Sequence, residues 1–164
     1  MSKKVSLSYQ YPVAPAEIHK LLCDPGFIED RARAGAVDAA MPEHEVSGDG
    51  AVRYTVHQTI PATGLPAVAR SVIKSDPVTE RSEAWVPDGD GYRADVALLI
   101  KVGVGTAKGV ARAVPAPGGT RVTIDLEVDV PVPVLGGKLE SVVIDQVTAV
   151  LGAEDGFIQG QLER

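Results

Sequence analysis

From Arg121 to Val130 the chain alternates without a break. Val122, Ile124, Leu126, Val128 and Val130 fall on one side, and Arg121, Thr123, Asp125, Glu127 and Asp129 on the other. Successive strand side chains point to opposite faces, so this segment predicts a strand with one dry face and one wet face. Such a strand suits an antiparallel sheet covered on one side only. Pro131 and Pro133 end it, and beyond Gly136–Gly137 the period changes to that of a helix over about 138–162. A half-dry sheet followed by one long helix is the pairing that most limits the fold.

The remaining segments extend the same sheet. A first strand over Lys4–Tyr11 ends at Pro12. Pro15 then opens a helix to about Cys23 with Ile18, Leu21 and Leu22 on one face. Asp24–Pro25 caps a second helix carrying Phe27 and Ile28 and stopping near Gly35. Period-two segments follow at 37–47 and 51–60, turned by Gly48–Asp49–Gly50. Others lie at 78–86 and 91–101, turned by Pro87–Gly91, and at 105–114 and 120–131, turned by Pro115–Gly119. Between 61 and 77, Leu65, Val68, Val72 and Ile73 have loose helical spacing and predict a short helix or flap. One domain over residues 1–164 accounts for all of this, with a substantial core implied by the 45% hydrophobic content.

Charge and composition narrow the function. A net charge of -6 argues against nucleic acid as the partner, since phosphate binding needs a basic face. Seven aromatics (Trp 1, Tyr 4, Phe 2) are few for a base-stacking platform. The lone Cys23 fits a reducing compartment, and Met1–Lys4 leads into alternation instead of a continuous apolar run. No apolar run approaches the ~20 residues of a spanning helix. The expectation is a cytoplasmic protein without integral membrane association.

Sites of known chemistry are scarce. Gly103-Val-Gly105-Thr-Ala-Lys108-Gly109 has neither dinucleotide nor P-loop spacing and is read as a glycine turn between strands. His19 and Cys23 lie four apart on a helix but lack further ligands, and His44 and His57 are isolated on strands, so neither metal nor cofactor is expected. Cys23 has no identifiable His/Asn partner. Arg81, Glu83 and Trp85 share one strand face. Pairing 85 with 93 and 83 with 95 makes a solvated charge ladder with Arg93 and Asp95, and a one-residue slip turns the set to the other face.

The last helix, plotted at ~100° per residue, carries Leu139, Val143, Val150 and Phe157 on its apolar stripe, flanked by Val142, Val147 and Ala153. Asp145, Thr148 and Asp155 fall opposite, while Gln146 and Glu154 intrude on the apolar side. The strand 105–114 has one face of Ala107, Gly109, Ala111 and Ala113 only, which either admits the helix closely or leaves volume for an apolar ligand.

This order of elements resembles the helix-grip architecture of the START-like, polyketide-cyclase-like superfamily, and more narrowly an uncharacterised actinobacterial family within it. The resemblance rests on Tyr11-Pro-Val-Ala-Pro-Ala-Glu-Ile18, Leu65-Pro66, Glu83-Ala-Trp85, Gly119-Thr-Arg121 and Val132-Pro-Val-Leu-Gly136-Gly-Lys-Leu-Glu140. It implies an α+β fold, a seven-stranded curved antiparallel sheet around the long C-terminal helix with two short helices after strand 1. It also implies a cavity between sheet and helix.

The residues expected on that lining are Tyr54, Val56, Trp85, Val96, Leu98, Gly109 and Ala111 from the sheet, with Val143, Gln146 and Val150 from the helix. Binding or carriage of a small hydrophobic molecule (lipid, polyketide or isoprenoid-like) is the leading expectation, more than enzyme activity. A cyclase, dehydratase or hydrolase using Gln146, Glu154 or Glu83 and a protein-interaction module are the alternatives. No catalytic residue is assigned.

Overall fold

A computed structural model describes residues 2–101 and 105–163. Val102, Gly103 and Val104 lie outside them, so the glycine segment beginning at Gly103 is described only from Gly105. The strands are β1 (Ser2–Tyr11), β2 (Asp38–Val46), β3 (Val52–Thr59), β4 (Val78–Asp88), β5 (Gly91–Ile100), β6 (Gly105–Ala116) and β7 (Gly119–Asp129). They form one antiparallel sheet in the order β1-β7-β6-β5-β4-β3-β2. Helices α1 (Pro15–Leu22) and α2 (Pro25–Ala34) carry the chain from one sheet edge to the other. The 61–77 segment holds a 3-10 turn (Ala62–Gly64) and one helical turn, α3 (Ala67–Arg70). Helix α4 (Gly136–Leu162) lies against the inner face and contacts β1, β7, α2 and α3. Architecture and element order are those expected, with α4 starting two residues early.

Local chemistry explains the boundaries. Asp24 caps α2 by accepting from the Gly26 N–H at 3.0 Å, and Pro25 fills the first helical position. Two hairpins turn more tightly than the sequence suggests. β4 and β5 pair as far as Asp88 and Gly91, around Gly89 at φ 57°, and β6 and β7 pair as far as Ala116 and Gly119, around Gly118 at φ 85°.

The tight turn at Gly89–Asp90 corrects the expected register. Trp85 opposes Ala94, Glu83 opposes Val96 and Arg81 opposes Leu98, one residue away from the pairing that makes a solvated ladder. The slip turns Arg81, Glu83 and Trp85 inward, where all three are buried. In a hairpin the turn sets the register, and a two-residue turn was hidden by the longer run of turn-forming residues at 87–91.

The helix rotation is corrected as well. The most buried positions of α4 are Leu139, Glu140, Val147 and Glu154, while Val143, Val150 and Phe157 are half-buried. Ala153, expected beside the stripe, is exposed, and Asp155, expected opposite it, is half-buried. Two carboxylates sit on the buried face, where Glu154 is well partnered and Glu140 has one partner, its Oε1 making no hydrogen bond to a described residue. Glu140 Oε2 accepts from the Val130 N–H at 3.1 Å, and Glu154 meets two guanidinium groups.

The small face of β6 has a specific cause at Gly109. A Cβ there would lie 1.8 Å from the Asp125 carbonyl oxygen, so the missing side chain admits the β7 backbone. Gly109→Ala is therefore expected to destabilise by about 1–3 kcal/mol or more. Gly152→Ala, in α4 with nothing within 4 Å of its Cβ, should stabilise by about 0.5–1 kcal/mol. Thermal melts of the two variants should move in opposite directions; equal shifts would contradict the close approach.

Candidate functional site

Strand alternation and helix geometry bring charged residues from three elements to one end of the inner face. Arg31 projects inward from α2 beside buried Ile28 and Ala32. Arg81 and Glu83 share the inner side of β4, and Glu154 comes down from α4. They alternate in sign around a closed ring. Arg31 Nη2 lies 3.5 Å from Glu83 Oε2, Arg81 Nε 3.2 Å from Glu83 Oε2, Arg81 Nη2 2.7 Å from Glu154 Oε1, and Arg31 Nε 3.4 Å from Glu154 Oε1.

Neutral donors complete the ring. Glu83 Oε1 accepts from the Tyr54 hydroxyl at 2.8 Å and from Trp85 Nε1 at 3.0 Å. Glu154 Oε2 accepts from Gln58 Nε2 at 2.9 Å, and Gln58 also donates to the Ala32 carbonyl. Two positive and two negative groups cancel, so the low-dielectric interior holds no net charge in the ring. Each ion retains several partners, which such burial requires.

The protonation states follow. Burial alone would raise the Glu83 carboxyl, but the Arg31 and Arg81 guanidiniums, helped by Tyr54 and Trp85, hold it below the usual carboxylate range. Burial would lower Arg81, but Glu154 and Glu83 outweigh it and raise its pKa. The Tyr11 hydroxyl is pushed well above its ordinary value by burial first and by the Asp155 carboxylate second.

A folded-state pKa below the unfolded one means that Glu83 contributes stability above its unfolded pKa. That stability is lost as pH falls through the folded pKa. Urea midpoints should therefore fall from about pH 5 downward, and Glu83→Gln should flatten this acid limb. An unchanged limb would show that Glu83 is not the group responsible.

Beside the ring lies a cavity of about 150 Å³ between the sheet and α4. Its wall is mostly apolar, with Leu98, Ala111, Leu126, Val143, Val147 and Val150 among its residues. Of the residues expected there, Trp85, Val96, Leu98, Ala111, Val143, Gln146 and Val150 line it. Tyr54, Val56 and Gly109 do not. Tyr54 lies behind Glu83 with its hydroxyl engaged, Val56 is fully buried in β3, and Gly109 meets the β7 backbone.

Arg31, Gln58, Arg81, Tyr11 and Asp155 line the cavity without having been singled out from the sequence as lining. The one available signal was the i, i+2 alternation of Arg81 and Glu83 with Trp85, whose large apolar surface favours the buried face.

The histidines serve local contacts. His19 Nε2 lies 2.7 Å from the Gly50 carbonyl and its ring stacks on Tyr92 at 4.4 Å. His44 meets the Leu22 carbonyl at 2.9 Å and His57 meets Glu80 at 3.1 Å. Burial pushes the Cys23 thiol up, away from the reactive thiolate. No described helix is long and apolar enough to cross a membrane.

A family model described as "Protein of unknown function (DUF2505)" matches residues 6–162. The chain belongs to that family. An uncharacterised protein of Mycobacterium tuberculosis is 27% identical over 167 residues, spanning 96% of this chain and 95% of its own length. The fold recurs in a START superfamily protein from Mycobacterium smegmatis, with TM-score 0.60, 15% identity, and 97% and 98% of the two chains covered. It recurs also in the Zhui aromatase/cyclase of a Streptomyces species, with TM-score 0.62, 14% identity, and 100% and 95% covered. This DUF2505 chain thus has a START-like, helix-grip fold and has mycobacterial relatives.

Proposed function

We propose that this DUF2505 chain, acting as one START-like unit over residues 1–164, binds and carries a small hydrophobic molecule between its sheet and α4. The observation that carries this is an apolar cavity kept open beside a self-neutralised ion ring. Interiors pack at crystal-like density with few voids larger than a water, so 150 Å³ is a marked departure. Cavities of about this size lined by aliphatic side chains stay dry and take up benzene-sized ligands.

The volume fits about one ring with a short substituent; a longer lipid or polyketide requires α4 and the 61–77 segment to move apart. Carriage is favoured over catalysis because Glu83 and Glu154 are occupied by Arg, Tyr, Trp and Gln donors. General acid–base work needs a group free to exchange a proton near neutral pH. The single unpaired cysteine suits action in the cytoplasm.

Naphthalene, titrated by its own fluorescence, should bind saturably near one per chain under native conditions. Val143→Phe, which fills the cavity from the helix side, should weaken that binding by about tenfold or more while the protein stays folded. Uptake seen only near the unfolding transition would refute the proposal.

A further inference from the structure

The ring's hydrogen-bond inventory is asymmetric. Glu83 Oε1 accepts from Tyr54 and Trp85, and its Oε2 faces Arg31 Nη2 and Arg81 Nε. Glu154 Oε2 accepts from Gln58 and Arg81, and its Oε1 faces Arg81 Nη2 and Arg31 Nε. Glu83 Oε1 and Glu154 Oε2 thus accept two hydrogen bonds each, while Glu83 Oε2 and Glu154 Oε1 accept one each and lie within ion-pair reach of an arginine Nε that makes no hydrogen bond to a described residue. On the donor side, Arg31 gives Nη2 to Tyr54 and Glu83, and Arg81 gives Nη2 to Glu154.

The Nη1 group of each arginine makes no hydrogen bond to a described residue, and neither is among the fully sealed unpartnered atoms. Arg31 and Arg81 are 6% and 5% exposed and both line the cavity, so the surface left to them opens onto it. A guanidinium has five N–H donors and no acceptor.

We infer that the ligand carries a neutral hydrogen-bond acceptor, a ketone, ester or amide carbonyl on an apolar ring, docked on Nη1 of Arg31 and Arg81. This rests on the proposed carriage in the same cavity and names the class of molecule carried. A ligand donor finds every carboxylate oxygen of the ring already accepting from a ring donor. An anionic head brings a charge to a wall where the ring already cancels and Asp155 adds a carboxylate. An ammonium can pair with Asp155 Oδ1, which makes no hydrogen bond to a described residue, but it meets two guanidiniums and leaves both Nη1 groups open. Only a neutral acceptor satisfies the open N–H groups without adding an unpaired charge. Gln146, also on the wall and without a hydrogen bond to a described residue, offers both a donor and an acceptor and so does not discriminate.

Calorimetric or NMR titration with acetophenone, ethylbenzene, benzoate and benzylamine tests this. A purely apolar cavity ranks them by hydrophobicity, with ethylbenzene first. The inference expects acetophenone to bind more tightly than ethylbenzene by about threefold or more, with both ions weakest. Arg81→Lys keeps the charge but removes Nη1 and should return ethylbenzene to first place; Arg31→Lys is the second variant should the first not fold. Ethylbenzene tightest in the unmodified protein overturns the inference and leaves hydrophobic carriage standing. Benzoate or benzylamine tightest overturns the class named, and failure of all four to bind overturns carriage and inference together.

Discussion

Replacing Glu154 with alanine is expected to destabilise the protein by about 3–5 kcal/mol and to lower its melting temperature by roughly 10 °C. The carboxylate is buried on α4 and holds Arg81 at 2.7 Å and Arg31 at 3.4 Å. Its removal leaves two buried guanidiniums with only Glu83 to balance them and leaves the Gln58 amide with the Ala32 carbonyl as its one acceptor. Replacing both partners of one pair, Arg81→Met with Glu154→Leu, leaves the Arg31–Glu83 pair neutral and fills similar volume with apolar atoms. The double variant should therefore be more stable than Glu154→Ala alone. Fluorescence of Trp85, the sole tryptophan, reports unfolding from inside the ring. A double variant at least as damaged as the single would mean that packing, and not charge balance, dominates at Glu154.

Val147→Asp should be of similar severity, about 3–5 kcal/mol. Val147 sits on the buried line of α4 between Leu139 and Glu154, and packs into the main core. The new carboxylate would enter an apolar wall where Glu83 and Glu154 already balance the charge of both nearby guanidiniums. Thr148→Asp, next in sequence but exposed, should change stability by no more than about 0.5 kcal/mol. Val150→Asp should fall between the two, because Val150 is half-buried and lies over Gly35 at the end of α2. Urea denaturation of the three variants gives this order directly. An effect at Val150 larger than at Val147 would return the helix to the rotation that hydrophobicity alone suggests.

That rotation shows where sequence periodicity loses its hold. Alternation placed all seven strands, and the proline and glycine signals at 131–137 placed α4, because these are local properties of backbone and turn chemistry. The orientation of α4 depends on Glu154 reaching Arg31 and Arg81, residues far apart in sequence whose meeting no local spacing records. A charged residue on an apolar stripe reads as an intrusion until its partner is known, so Leu139, Val143, Val150 and Phe157 looked like the centre.

The same blindness affected β4. The alternation of Arg81, Glu83 and Trp85 was plain, but a solvated ladder and a buried ring differ by one residue of register, fixed by the turn at Gly89–Asp90. Gly109 was visible as a small residue, yet its role depends on the Asp125 carbonyl of the neighbouring strand. Trp85, Val96, Leu98, Ala111, Val143, Gln146 and Val150 could be placed on the wall from a concave sheet and one helix. The charged end of the cavity could not.

Methyl-resolved NMR during a naphthalene titration tests the central claim, a cavity open to apolar ligands between the sheet and α4. The largest saturable shifts should fall on Val143, Val147, Val150 and Leu126, which line the cavity. The exposed Val37, Val46 and Val86 should stay still. Shifts confined to those exposed residues, or shifts that grow linearly without saturating, would contradict it.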